Sequence, residues 1–305
     1  MDERGRQRSG VIYGLAAFGA WGLLPLYFKA VESVPPLEVL AHRMVWSLAL
    51  LLLVSLVRGG LGWLGRLMSD ARTRRTLAVT TCLIAINWGI FIWAIDQRRL
   101  VEASLGYFIN PLFTMLLGVV FLRERLRPRQ TAAVVLAAVS IVWLTVDYGR
   151  LPWISLVLAA SFAIYGLLRK RVAASGVQGL TVETLMLAPI AIAWMVWRHG
   201  RGELHFLQTG VGLDLLLMAA GITTALPLIW FAKSARRLRL ATIGFMQYLA
   251  PTGHFLLAVL AFGESFTHTH AVGFGLIWAA LALYTYDTVV GLRDAAPDAA
   301  RGPRA

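Results

Sequence analysis

The sequence predicts an all-α integral membrane protein: ten transmembrane helices arranged as two inverted five-helix repeats. Three observations predict it. Hydrophobic residues make up 58% of the chain and charged residues only 15%, against roughly 25% charged in a soluble globular domain. The charges gather between apolar runs of about 20 residues, the length that crosses a ~30 Å hydrocarbon core at 1.5 Å rise per residue. Lys and Arg alternate in density from one connecting segment to the next, and the second half of the chain matches part of the first at a constant offset.

In order, the spans fall at about 10–28, 37–57, 76–95, 100–122, 130–147, 151–169, 180–198, 211–232, 240–262 and 270–290. Connections such as "KAVESVPP", "DYGRLP" and "GESFTHTH" separate them. Pro35, Pro36, Pro128 and Pro152 stand where helices start or stop, because proline lacks the N–H a helix interior needs. Only 58–75 and 199–210 are loops of any size, so no soluble domain is expected. The N-terminal "MDERGRQRSG" is basic, and the apolar run after it lacks a small-residue cleavage site, so no removable signal peptide is expected. Cys82 is the one cysteine, which excludes an internal disulfide and leaves it as a small buried apolar residue.

Orientation follows from basic residues, which stay on the cytoplasmic side of a bilayer. With the N-terminus cytoplasmic, the inside segments carry 22 Lys and Arg and the outside segments 6, with Arg43 inside a span. An even number of spans then puts both termini in the cytoplasm. The net charge of +13 is accounted for by these clusters, so nucleic acid is not an expected partner.

At an offset of 140, residues 82–124 align with 222–264 without a gap. Pro111 meets Pro251, Glu124 meets Glu264, Leu100 meets Leu240, Phe91 meets Phe231, Phe108 meets Tyr248, and Asn87 meets Pro227. The repeats are expected at 10–147 and 151–291. Five spans per repeat is an odd number, so the second enters from the opposite face, a common plan of secondary transporters. The charges agree: "DQRRL" (96–100), expected outside, has two Arg, while its counterpart "SARRLRL", expected inside, has four basic residues with Lys233.

Six segments carry a further resemblance: "HRMVWS" (42–47), "NWGIFIWA" (87–94), "EASLGYFINPL" (102–112), "YGLLRK" (165–170), "TVETLMLAP" (181–189) and "IGFMQYLAPT" (243–252). With the five-plus-five duplication, the chain over about 10–290 resembles the EamA-type permeases of the drug/metabolite transporter superfamily, and within them the RarD subgroup. The resemblance implies a permease of the cell inner membrane, linked by name to chloramphenicol resistance. Met246 stands where related sequences often have Phe.

Polar residues inside a span are costly, about 2.5–3.5 kcal/mol for a centrally placed Arg or Asp, and usually face a cavity or a partner. Glu38, His42 and Trp46 share one face of the second span. Arg43 beside them either pairs with Glu102, at the outer start of the fourth span, or extends to the interface. Asn87 and Phe91 share a face of the third span, with Trp88 adjacent. Tyr107, Asn110 and Thr114 form a stripe in the fourth, and Gln247 and His254 share a face of the ninth. Pro111 and Pro251 each free a carbonyl, tolerable in lipid only beside a polar group or a cavity. Matching polar-plus-proline stripes in both halves point to a central pathway, the other reading being hydrogen-bonded helix packing. The pathway is expected among spans one to four and six to nine. Glu183 is either a proton carrier or an acid near a helix N-terminus. His254 either titrates near neutral pH or is structural. Trp63, Trp153, Trp194 and Trp197 read as interface anchors, Glu124 in "RERLR" as part of a surface ion-pair cluster, and the glycines of "GFGLIWAA" (273–280) as close-packing positions.

No Gly-Lys pair, Cys/His cluster or GxSxG occurs, so ATP-driven transport, metal binding and enzyme catalysis are not expected, and no cofactor is. The expected function is a permease exporting a small organic metabolite or drug by alternating access, with proton coupling resting on Glu183 or His254. The alternatives are an uncoupled facilitator of the same solutes and a non-transporting membrane scaffold or sensor.

Overall fold

The computed structural model describes residues 3–97, 99–149, 152–261 and 268–298. Every element among them is a helix: α1 (Glu3–Gly22), α2 (Leu24–Ala30), α3 (Pro36–Val57), α4 (Gly62–Ser69), α5 (Ala71–Asp96), α6 (Leu100–Leu122), α7 (Pro128–Tyr148), α8 (Trp153–Arg171), α9 (Gly176–His199), α10 (Val211–Ala235), α11 (Leu240–Gln247), α12 (Leu249–Leu260) and α13 (His268–Asp298). Eight stretches are long and apolar enough to cross a membrane, the first being α1 and α2 taken together. The chain is therefore an all-α, multi-pass membrane protein. Glu264, Arg98 and Arg150 lie outside the described residues.

Helix ends follow the prolines. Pro36 opens α3, Pro128 opens α7, and Pro152 precedes α8. Three differences from the expected spans are informative. Residues 58–75 hold α4, whose Trp63, Leu64, Leu67 and Met68 pack on Leu77 and Val182. Asp70 then starts α5, accepting from the Thr73 amide at 3.0 Å and the Thr73 hydroxyl at 2.5 Å, and these bonds hold its carboxyl below the usual carboxylate range. The first and ninth apolar runs are each broken, at Leu23 and Tyr248. Pro25 sits in the first turn of α2 and Pro251 in that of α12, positions that need no N–H, whereas Pro111 lies inside an unbroken α6. Cys82 is exposed rather than buried; it belongs to the lipid-facing surface, where apolar residues lie outward.

The helices pack as neighbours α6 with α8, α7 with α13, α3 with α10, α1 with α10, α3 with α9, α6 with α11, α5 with α8, α1 with α12 and α5 with α9. Membrane helices gain from close backbone approach, and glycine permits it at two places. A Cβ on Gly221 of α10 would stand 2.5 Å from the Trp46 backbone of α3, and one on Gly253 of α12 would stand 2.8 Å from Gly22 at the end of α1. Of the two glycines in 273–280, Gly273 fits tightly against Leu144 while Gly275 meets nothing within 4 Å.

Three carboxylates hold first-half helices to backbone amides of the second half, in the 205–206 loop and at the starts of α8 and α11. Glu38 of α3, fully buried, accepts from the His205 and Phe206 amides at 2.8 and 3.1 Å and contacts the His205 ring. Glu102 of α6 accepts from the Ile154 amide at 3.0 Å, at the start of α8, and pairs with Arg99 at 2.5 Å. Glu124 follows Arg123, whose left-handed φ of 53° ends α6. It accepts from Leu240 and Ala241 amides at 2.8 and 2.9 Å and so caps α11. This corrects the surface-cluster reading of Glu124: its partners are backbone amides, with Arg239 at 4.0 Å.

Gly221→Val should cost about 1–3 kcal/mol through overpacking, seen as a melting temperature in detergent several degrees lower. Gly89→Ala, with open space around it, should leave the melting temperature unchanged.

Candidate functional site

A cavity of about 120 Å³ lies where α1, α2, α3, α5, α6, α8, α10, α11 and α12 converge. Its apolar wall comes from Phe18, Trp21, Phe28, Trp88, Phe91 and Phe162, and its polar groups from Arg43, Asn87, Tyr107, Asn110, Thr224, Gln247 and His254. Each lining segment comes from the half of its helix farther from the basic ends Arg123–Arg129, Arg169–Arg171 and Lys233–Arg239 or from near its middle.

Arg43 is oriented by a bond from Nε to the Thr224 hydroxyl at 2.9 Å. Its guanidinium lies 5.0 Å from the Trp88 ring centroid and 5.9 Å from that of Phe28, a cation–π arrangement that favours a charge beside aromatic faces. No carboxylate pairs with it among the described residues. Of the two readings of Arg43, the pair with Glu102 is absent among the described residues: Arg99 and the Ile154 amide engage the Glu102 carboxylate.

The amides divide between fixed and open atoms. Asn87 Nδ2 donates to the Leu158 carbonyl and the Ser161 hydroxyl, both at 2.9 Å, joining α5 to α8. Asn110 accepts from Thr114 at 3.4 Å. Gln247 is buried at the break between α11 and α12, and neither its Oε1 nor its Nε2 has a partner. A buried amide left unpaired costs about 1–3 kcal/mol per group, and this one lines the cavity. His254 contacts the Trp21 carbonyl through Nε2 at 2.8 Å. A carbonyl only accepts, so Nε2 carries the proton and a neutral ring offers Nδ1 as an acceptor. Tyr107 stands edge-on to His254 at 5.7 Å and to Phe91 at 6.1 Å.

An aromatic layer closes the cavity toward the basic ends. Phe162 and Phe231 lie 5.2 Å apart, Trp21 and Phe162 5.7 Å, and Tyr165 and Phe231 6.3 Å in a stack. Under it is a buried polar cluster. Glu183 accepts from Thr80 at 2.7 Å and Tyr165 at 3.1 Å, and Arg169 Nε is 3.8 Å away, both charges being 1% exposed. Arg169 Nη2 donates to the Ser175 and Gly176 carbonyls at 3.3 and 3.2 Å.

Of the residues singled out in the sequence, Arg43, Asn87, Trp88, Phe91, Tyr107, Asn110, Gln247, Pro251 and His254 line the cavity. Four do not. His42 accepts from Trp46 Nε1 at 3.0 Å and lies 4.7 Å from the Phe206 ring, so both face the 203–210 segment. Glu102 anchors α8. Glu183 lies in the cluster beneath the aromatic layer, in the second turn of α9 rather than at its N-terminus, which Ser175 caps. The seventh span, α9, contributes nothing to the lining. Sequence reasoning missed Phe18, Phe28, Phe162, Thr224 and Arg169. Thr224 had one signal, a hydroxyl on the α10 face of Gly221 and Leu228. Arg169 had another, its spacing of four from Tyr165.

The EamA-like transporter family profile matches residues 8–146. Over 95% of this chain and 92% of the other, the sequence is 44% identical to Protein RarD of Streptomyces exfoliatus. It is 42% identical to Protein RarD of Escherichia coli K12 over 95% and 97%, and 34% identical to the Chloramphenicol-sensitive protein RarD of Pseudomonas aeruginosa over 93% and 96%. A crystal structure at 19% identity superposes with a TM-score of 0.70 over 91% of this chain and 98% of its own, which shows a shared fold. The chain belongs to the EamA-like transporter family, in its RarD-type group, and is a membrane transporter.

Arg169→Ala should lower unfolding free energy by about 3–5 kcal/mol, because it strands a buried carboxylate. The double change Arg169→Met with Glu183→Leu should recover part of the loss. Unfolding in detergent with a double-mutant cycle reads this; additive losses would show that the two charges are uncoupled.

Proposed function

We propose that the chain is a secondary transporter that exports a small amphipathic organic metabolite or drug by alternating access. The observation that carries this reading is the cavity itself: aromatic walls around a guanidinium with no carboxylate partner among the described residues and an unpaired amide, between helices from both halves. In this reading α11 with α12 forms the ninth span and α13 the tenth. The halves, 10–147 and 151–291, form inverted repeats in the cell inner membrane, with both termini cytoplasmic. Support comes from the neighbour pattern. Exchanging each span for the one five places on turns the α6–α8 contact into α1–α12, the α1–α10 contact into α5–α8, and the α3–α10 contact into α5–α9, all of which occur. The α7–α13, α3–α9 and α6–α11 contacts map onto themselves.

With that orientation the cavity lies in the outer half and the Phe162–Phe231 layer seals it from the cytoplasm, an outward-facing arrangement. Rocking one repeat against the other would part this layer and the Glu183 cluster and close Tyr107 onto the cavity. Arg43 would take an acceptor group of the solute, Gln247 and Asn110 its polar atoms, and Trp21, Trp88 and Phe91 its apolar body. The name of the P. aeruginosa relative makes chloramphenicol a sensible first probe. Proton coupling would act through Glu183, whose protonation would loosen Arg169 and the inner seal. That Glu183 stands outside the cavity favours a second reading, an uncoupled facilitator of the same solutes.

Cells over-producing the chain should release a compound that cells with Arg43→Ala and Asn110→Ala, at matched membrane levels, release about tenfold more slowly or not at all. That factor is the loss of one charge-assisted bond. Equal release profiles would remove the cavity as the route. Glu183→Gln should abolish the dependence of flux on the pH gradient; a flux that never depends on the gradient selects the facilitator.

A further inference from the structure

At the opposite end of the molecule from the Arg43 cavity is a second cleft, of about 580 Å³, that the transport reading does not use. Arg6, Arg58, Lys233, Arg236 and Arg237 line it, and no acidic residue does. None of the five pairs with a carboxylate among the described residues. Arg6, Lys233, Arg236 and Arg237 bond instead to backbone carbonyls or lie on rings. Arg6 donates to the Arg236 carbonyl at 3.2 Å, Arg236 to the Ala174 carbonyl at 2.6 Å, and Arg237 to the Lys233 carbonyl at 2.9 Å. Lys233 and Arg237 lie over Tyr13 at 4.8 and 5.3 Å. Like charge presses on Arg236: burial and then Arg169, Arg237 and Arg6 push its guanidinium below the usual arginine range.

Basic residues near a membrane's inner face commonly need no ligand, since they set topology. Two observations set this cleft apart. The N-terminus of α9 opens into it through Ser175, Gly176, Val177 and Gln178. Ser175 and Gln178 cap each other, which leaves the Gly176 and Val177 amides to meet an anion at the positive end of the helix. Ser55 also lines the cleft; it is 5% exposed, and its hydroxyl has no hydrogen-bond partner. A buried donor without a partner beside free amides and crowded cations is the donor set of a phosphate site.

We propose that this cleft binds a phosphate group, contributed either by a free phosphorylated or inorganic anion or by the headgroup of an anionic lipid. Arg58, whose side chain has no hydrogen-bond or ion-pair partner among the described residues, would close over the group, with Ser55 and the α9 amides beneath it.

The test uses the full chain purified in detergent, inorganic phosphate titrated by calorimetry at low salt, and nanodiscs of phosphatidylglycerol or phosphatidylcholine. The variants are Arg58→Gln, Ser55→Ala and, as a control at the other end, Arg201→Gln, each checked for an unchanged elution profile. Phosphate binding weakened about tenfold by Arg58→Gln, reduced by Ser55→Ala and untouched by Arg201→Gln supports the free-anion source. Absent phosphate binding, with phosphatidylglycerol retained by the parent and lost from Arg58→Gln in native mass spectra, supports the headgroup source. Should Arg58→Gln fail to fold, Ser55→Ala carries both readouts. Neither ligand binding, or equal weakening by Arg201→Gln, overturns the proposal.

Discussion

A bilayer offers no water to an unpaired backbone amide, so every chain start and every break inside it must be satisfied by the protein. In this structure three carboxylates, two of them fully buried, help to meet that demand. Glu38, Glu102 and Glu124 belong to the first half, and each accepts from backbone amides in the second: the 205–206 loop and the first turns of α8 and α11. Glu102 further holds the Ser155 side chain through its own carbonyl. The same bonds that satisfy the backbone therefore fasten the halves together at both ends. The cavity exists because the halves are held at those points and not filled between them.

This division explains how the chain spends its polar groups. Most are engaged: Asn87 joins α5 to α8, Ser47 reaches the Gly221 carbonyl at 3.3 Å, and Ser140 reaches the Gly273 carbonyl at 2.7 Å. Such bonds act as ties between helices that have little hydrophobic reason to associate in lipid. Against that background the exceptions stand out. Gln247 is unpaired at a helix break, Arg43 has a hydroxyl and two rings but no anion, and Ser55 faces a cleft of cations. Gln247 and Arg43 line the cavity and Ser55 the cleft, whereas other unpartnered groups, such as the Ser234 and Tyr248 hydroxyls, line neither.

The apolar runs were legible because lipid imposes a single length and composition on each span. The lining was legible where a stripe of polar residues repeats around Pro111 and Pro251. What escaped depends on contacts far apart in sequence. Nothing local distinguishes Glu102, which anchors α8, from a pathway acid, since its partner amide at Ile154 is 52 residues away. Arg169 reads as one of three basic residues at a helix end, yet it is 1% exposed because Glu183 and two carbonyls surround it. Pro111 and Pro251 look alike in sequence and behave differently. At Pro251 the close contact of Gly253 with Gly22 accompanies a broken helix, while α6 runs through Pro111 unbroken.

Under the proposed function, the space between the halves is a water-filled route open to the outer face. The most direct measurement is labelling of single cysteines in intact cells with a membrane-impermeant thiol reagent. The background is Cys82→Ser, carrying Asn110→Cys, His254→Cys or, in the aromatic seal, Phe231→Cys. The account predicts that Asn110→Cys and His254→Cys react from outside and Phe231→Cys does not. Protection of all three, in protein that is inserted and folded, would contradict it.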